Sequence, residues 1–293
     1  MIVYTGSHFG MWVIWLSWVL WWIDVVLSLS TCMLVTYYMV SRSEHPSLEQ
    51  MSSLFLLPVV SASACSLTAS IIIPFLPTRD AYTTLLTAYA LWGFGVCMAT
   101  MILTVYLQRL IFHHLPSNDM TVSIWLPLGF LGQGMFSIIR LGENAGPLLK
   151  AKAEIEKDYF PFATGGPYLY FIGSLVGLLM WGFAMWWLLI ALISTIDNII
   201  GGVRFSLGWW TFTFPFGSLA NGTIVLGEAY SAPFFFYFGE IMAWCVVFLY
   251  AVCVVFTIQG LRKGNLLTAP CLDARLQNKV RLNSQEATES ENI

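Results

Sequence analysis

The chain has 293 residues, of which 58% are hydrophobic and only 10% are charged. A soluble domain has about 25% charged residues, so this composition excludes a soluble globular domain and predicts an integral membrane protein embedded in the lipid bilayer. The formal net charge of −3 argues against nucleic acid as a partner.

Hydrophobic segments long enough to cross a bilayer, which takes roughly 20 helical residues, recur along the chain. The sequence predicts seven of them, at 9–40, 51–75, 81–112, 121–141, 166–195, 209–228 and 233–259. Together they form a predicted transmembrane domain over 1–263. Residues 264–293 are polar and rich in Ser, Glu and Asn, which predicts a disordered C-terminal tail.

The segments alternate in character, and the alternation predicts an internal repeat. The second, fourth and sixth segments are shorter, and each contains a proline: Pro58, Pro127 and Pro215. The long segments before them contain Trp22, Trp92 and Trp181. The prolines are spaced by 69 and 88 residues and the tryptophans by 70 and 89, so both markers shift together. The predicted fold is therefore all-α, with tandem inner–outer helical hairpins around a central pore.

The sixth segment contains the stretch 209–223, which carries a stripe of polar and small residues. Thr211, Phe214, Ser218 and Asn221 recur at helical spacing, so a helix places them on one face. Ser and Asn side chains find no hydrogen-bond partner in lipid, so their presence on this face favours a pore-lining role. A bent helix that packs through its small residues is the alternative interpretation.

The other two short segments offer similar side chains. The candidate pore-lining residues there are Ser61, Ser63 and Ser66 in the second segment, and Gly129, Gln133 and Ser137 in the fourth. Such a path is neutral and lined by hydroxyls and amides, without the acidic rings that attract cations, so it suits an anion. Close packing between membrane helices explains each single serine equally well.

Three further roles follow from this interpretation. The three prolines are predicted to kink the inner helices and so form a constriction near mid-membrane. Phe214 is the candidate gate at that constriction, with Phe212 the runner-up and Phe216 a further rival. Arg140 lies at the end of the polar stripe of the fourth segment, where it is expected to attract anions at one mouth or to reach the interface.

Basic residues near the segment ends set the predicted orientation. Six lie on the side of the C-terminus and five on the opposite side, a slim excess that predicts a cytosolic C-terminus. The six cysteines are scattered singly, so no metal and no cofactor are expected. No cluster of His, Asp and Glu meets at one membrane depth, so the chain is not expected to be an enzyme.

Three runs of residues carry a resemblance to a known family: VLWWIDV in the first segment, LPLGFLGQG followed by RLGEN in the fourth, and WWTFTFPFG in the sixth. They resemble the tellurite-resistance/dicarboxylate transporter family, which includes fungal sulfite efflux pumps, malate permeases and guard-cell slow anion channels. The similarity is closest to the sulfite efflux pumps, over about 19–260. It implies ten helices in five hairpins, a central anion path and often a homotrimer. It also implies a gating Phe on the ninth helix, which falls on Phe214, with Phe212 second.

The resemblance also implies helices that this chain lacks. Only seven segments are present, and the first three family helices would precede Met1. The chain is therefore expected to be a truncated product or an incomplete gene model, and one alternative is a fragment that packs with partner helices without transporting. The leading hypothesis is a plasma-membrane anion transporter that exports sulfite or bisulfite. A malate or dicarboxylate permease, or an anion channel of the same family, is the near rival.

Overall fold

The computed structural model of the chain describes residues 10–42, 48, 51–113, 124–156, 162–200 and 207–262. This part of the chain contains α-helices and short 3-10 helices, and no β-strand. Its seven α-helices correspond to the seven predicted segments, which confirms the all-α prediction. The predicted tail, 264–293, lies outside the described residues.

The helix bounds differ from the predicted segments mainly in the fourth helix. The helices are α1 Met11–Arg42, α2 Leu57–Ile72, α3 Thr78–His113, α4 Leu126–Glu156, α5 Gly166–Ile200, α6 Thr213–Tyr230 and α7 Pro233–Arg262. The predicted fourth segment ends at residue 141, whereas α4 continues through Pro147 to Glu156. The extension is rich in polar and charged residues, so hydrophobicity could not reveal it.

Five stretches of the described part are long and apolar enough to span a membrane, and together they make this a multi-pass membrane protein. They are Met11–Ser41, Ser53–Phe75, Thr78–His113, Gly166–Asp197 and Pro233–Arg262. Helices α4 and α6 do not reach that level of hydropathy. Both carry polar residues and glycines in place of long apolar side chains, as expected of helices that face other helices more than lipid.

Burial separates inner helices from outer helices. In the most apolar part of each span, 56% of the residues are buried for Ser53–Phe75, which contains α2, but only 11% for Pro233–Arg262, which is α7. Helix α4 is the most enclosed element, because α2 and α6 pack on it from the inner layer and α3 and α5 from the outer layer. Helices α1, α3, α5 and α7 instead expose apolar side chains along much of their length. The predicted alternation of inner and outer helices is thus present.

Close backbone approaches join α4 to the inner helix α6 and to the outer helix α5. Gly132 of α4 lies against the backbone of Ser218 and Leu219 in α6, where an added Cβ would sit 2.4 Å from the Ser218 carbonyl carbon. Gly173 of α5 lies against Ile138 of α4, where a Cβ would sit 2.6 Å from the carbonyl oxygen. Only a hydrogen atom fits at either position, so these glycines set the distance between the helices.

Tryptophan hydrogen bonds follow the predicted repeat in two of its three units. Trp21 Nε1 donates to the Cys65 carbonyl at 2.9 Å, and Trp92 Nε1 donates to the Gly134 carbonyl at 2.8 Å. Each acceptor lies seven residues after the proline of its inner helix. The first marker of the repeat is therefore Trp21, not the predicted Trp22. In the third unit, Trp181 Nε1 is buried and has no hydrogen-bond partner among the described residues.

The prolines occupy a different place from the one predicted. Pro58 and Pro127 are the second residues of α2 and α4, and Pro215 is the third residue of α6. All three follow residues in 3-10 geometry, at Ser53–Leu56, 124–125 and Leu207–Phe212. A first-turn proline breaks no α-helical hydrogen bond, because the first N–H groups of a helix have no acceptor within it. The prolines thus lie in the first turn of each inner α-helix, just after the change from 3-10 to α geometry, and not in the helix interior.

Candidate functional site

The least buried stripes of the inner helices are together called the inner face. Its residues recur every three or four positions along each helix. They are Ser61, Ala64 and Thr68 on α2, Gln133, Phe136, Arg140 and Glu143 on α4, and Phe214, Gly217, Ser218 and Asn221 on α6. Contacts at both ends join the stripes of α4 and α6, namely Phe214 with Gly129 and Arg140 with Glu228.

Phe214 lies on the inner face where α6 crosses the first turn of α4. Its ring rests on Gly129, where an added Cβ would lie 2.5 Å from ring carbon Cε1. The side chain is nevertheless 43% exposed, because the ring projects from the helix surface. Two residues selected independently from the sequence, one as gate and one as pore lining, are therefore neighbours.

The two rivals of Phe214 are held by Trp125. Phe212 is 8% exposed, and its ring lies edge-to-face with that of Trp125 at a centroid distance of 5.4 Å. The Phe216 ring stacks on that of Trp125 at a centroid distance of 4.7 Å. These aromatic contacts fix both rings between helices. Of the three phenylalanines, Phe214 is the most exposed.

The structure places the predicted pore-lining residues in different surroundings. Four of them lie on the inner face: Ser61, Gln133, Ser218 and Asn221. Gly129 lies beneath the Phe214 ring, and Thr211 belongs to the 3-10 helix before α6. Ser63, Ser66 and Ser137 are fully buried between helices. Ser63 lies at Gly95 of α3, and the Ser137 hydroxyl donates to the Gln133 carbonyl at 2.8 Å. These three serines are thus enclosed by other side chains, as the packing alternative expects.

Arg140 is engaged by two carboxylates. Its guanidinium contacts Glu143 of the same helix at 2.6 Å and Glu228 of α6 at 2.7 Å. The three side chains together carry a formal charge of −1, so the positive charge of Arg140 is offset in this arrangement. Attraction of anions by Arg140 stays a prediction, and it requires that the carboxylates release the guanidinium or lose their charge.

The sequence analysis missed the link between α4 and α6. Arg140 and Glu143 are three residues apart, a spacing that places them side by side on a helix. Glu228 is 88 residues from Arg140 along the chain, and no local signal connects the two. Within the described residues, no group of three His, Cys, Asp or Glu side chains is placed to hold a metal ion.

The chain is similar in sequence to proteins named as sulfite efflux pumps and to a malic acid transport protein. A sulfite efflux pump of Trichophyton rubrum is 33% identical over 250 residues, which cover 85% of this chain and 64% of that protein. A sulfite efflux pump of Candida albicans is 26% identical, over 89% of this chain and 56% of its own length. The malic acid transport protein of Schizosaccharomyces pombe is 21% identical, over 82% of this chain and 53% of its own length.

These relatives are named as transporters and not as enzymes, in agreement with the prediction from sequence. The chain spans less than two thirds of the length of each of them. No solved structure matches the chain to a significant degree. The family model described as voltage-dependent anion channel matches residues 1–258, almost the whole of the described helical region. With this match, the multi-pass fold and the sulfite efflux pump relatives, the chain belongs to the voltage-dependent anion channel family.

Proposed function

We propose that the chain forms part of a plasma-membrane path through which small anions, above all sulfite or hydrogen sulfite, leave the cell. The observation that carries the proposal is the inner face. Between Phe214 and the Arg140 cluster, its described residues offer hydroxyls and amides and no ionisable side chain. Neutral donors suit an anion that must pass without being held. The relatives named as sulfite efflux pumps support the choice of substrate.

Phe214 is the proposed gate of this path. Its ring rests on Gly129 and is partly exposed, whereas Phe212 and Phe216 are packed against Trp125. A phenylalanine ring moves between staggered rotamers at small cost where nothing encloses it. Rotation of one ring from the wall into the path would therefore close it without any movement of a helix.

The driving force needs no chemical energy source. A membrane potential that is negative inside favours the exit of a singly charged anion by about 2.3 kcal/mol per 100 mV. The proposed orientation places the C-terminus in the cytosol. The exposed apolar surfaces of α1, α5 and α7 would then face lipid or, in a homotrimer, neighbouring subunits.

A malate or dicarboxylate permease is the second candidate, favoured by the similarity to the malic acid transport protein. The test expresses the chain in sulfite-sensitive cells that lack their own exporter and measures growth on sulfite together with uptake and release of labelled malate. We expect sulfite tolerance to rise and malate flux to stay at background. A chain that reaches the surface and leaves sulfite tolerance unchanged contradicts the proposal. That result favours a component that packs with partner helices and transports nothing itself.

A further inference from the structure

Gln133 occupies the middle of the inner face. It lies one helical turn after Gly129, on which the Phe214 ring rests, and two turns before Arg140. Its Oε1 atom is buried, and no residue of the described part donates a hydrogen bond to it. The backbone carbonyl of the same residue is satisfied by Ser137. The side-chain carbonyl is therefore the acceptor that lacks a hydrogen bond at this point of the face.

A buried acceptor without a donor costs free energy, so such groups in folded proteins generally meet a partner. Other atoms of this kind, such as Trp181 Nε1 and Ser66 Oγ, lie between helices and away from the inner face. Gln133 differs because it belongs to the stripe of α4 that forms part of the inner face. A change in its side-chain torsion angles would turn the amide toward a molecule on that path.

The chemistry of an amide defines what would satisfy Gln133. The amide offers two N–H donors and one carbonyl acceptor. An oxyanion that carries its own proton matches both ends, since its oxygens accept from the amide and its O–H group donates to Oε1. A fully deprotonated dianion or a halide offers acceptors only, which leaves Oε1 unsatisfied.

The charges on the inner face also favour a singly charged anion over a dianion. The cation nearest along α4 is Arg140, and Glu143 and Glu228 already hold it. A second negative charge on the permeating anion would thus meet no free counter-charge on the described inner face, and burial of an unpaired charge is costly.

From these observations we infer that Gln133 is a specificity-determining residue, which selects singly charged oxyanions that carry a proton over dianions and halides. Of the anions named in the proposed function, hydrogen sulfite belongs to this class. The inference rests on that function, because it assigns the form of the substrate to the same path.

The first test compares Gln133→Leu with Gln108→Leu. Gln108 is exposed on the outer helix α3, so its variant makes the same chemical change away from the inner face. Sulfite and chloride fluxes are measured in proteoliposomes at acidic and alkaline pH. We expect Gln133→Leu to lower the sulfite flux at acidic pH about tenfold and to leave the chloride flux unchanged, because hydrogen bonds to a charged ligand are lost. Gln108→Leu should behave as the unmodified protein. An equal loss of both fluxes, or no loss, overturns the inference.

The second test measures binding without transport. Thermal unfolding of the purified protein in detergent is followed with hydrogen sulfite at acidic pH and with sulfite at alkaline pH, since a ligand that binds the folded state raises Tm. We expect a rise with hydrogen sulfite only, and its loss in Gln133→Leu. Gln133→Met, which keeps the chain length, replaces this variant if its Tm without ligand is already lowered.

The two proposals fail in different ways. Stabilisation by hydrogen sulfite that depends on Gln133, in a protein without sulfite flux, overturns the transport function and supports the binding site. Sulfite flux with unchanged selectivity and unchanged stabilisation in Gln133→Leu overturns the role of Gln133 and supports the transport function. Absence of both flux and stabilisation in the unmodified protein overturns both.

Discussion

The ring of Phe214 lies so close to Gly129 that a methyl group added at residue 129 would meet ring carbon Cε1 at 2.5 Å. A contact this short is a steric overlap, so the Phe214 ring would have to move away from α4 to accommodate the methyl group. A side-chain ring on the partly exposed inner face can move. Gly129 therefore provides the flat surface against which the proposed gate rests when it lies along the wall.

Gly129→Ala should lower anion flux, because the added methyl group pushes the Phe214 ring off the wall and into the path. Phe214→Ala should raise the flux several-fold, and the double variant should match Phe214→Ala alone, since no ring remains to be displaced. Phe171→Ala, on the exposed surface of α5, is the matched control and should leave the flux unchanged. Additive effects in the double variant would show that the two residues act separately.

Gly132→Ala should destabilise the protein by about 1–3 kcal/mol, the usual cost of overpacking. Its Cβ would meet the backbone of Ser218, which cannot turn aside as a side chain can. Gly93→Ala on α3 is the control, because a Cβ there has no atom within 4 Å. Helix propensity should make that variant neutral or more stable by up to about 1 kcal/mol. Unfolding in detergent measures both, and equal stabilities would contradict the close approach of α4 and α6.

Trp92→Phe should lower the free energy of unfolding by about 1 kcal/mol more than Trp181→Phe does. Both substitutions remove a similar volume, but only Trp92 Nε1 donates to a carbonyl, that of Gly134. Trp181 Nε1 has no partner in the described part of the chain and packs among Phe234, Phe235 and Phe238. The same unfolding measurement on the two variants decides the point. A larger loss in Trp181→Phe would mean that packing outweighs the hydrogen bond.

Glu228→Gln should raise anion flux at low ionic strength. The substitution removes one of the two carboxylates that hold Arg140 and brings the formal charge of the cluster from −1 to zero. Because the cluster is partly exposed, salt should screen the effect, so the difference from the unmodified protein should shrink as ionic strength rises. Arg140→Gln should act in the opposite direction, and Glu228→Asp should stay close to the unmodified protein. A rise in Glu228→Gln that does not depend on salt would point to altered packing.

The sequence by itself determined the class of the protein and the order of its helices. Seven apolar segments, three of them shorter and marked by Pro58, Pro127 or Pro215 and by small polar residues, sufficed to separate inner from outer helices. Lipid-facing and helix-facing surfaces require different side chains. The paired spacings of proline and tryptophan predicted a repeat, and Trp92, one of its markers, donates a hydrogen bond to Gly134 of the next inner helix. Helical spacing placed Gln133, Ser218 and Asn221 on exposed sides of their helices.

Only the tertiary structure decided which small polar residues reach the inner face. Ser61 and Ser63 are two positions apart and chemically identical, yet Ser63 is fully buried at Gly95 and Ser61 is not. Likewise, Trp125 fixes Phe212 and Phe216 and leaves Phe214 on the inner face. Glu228 meets Arg140 across 88 residues of chain. These outcomes depend on how the helices rotate and approach one another, and contacts between residues distant in sequence set that rotation.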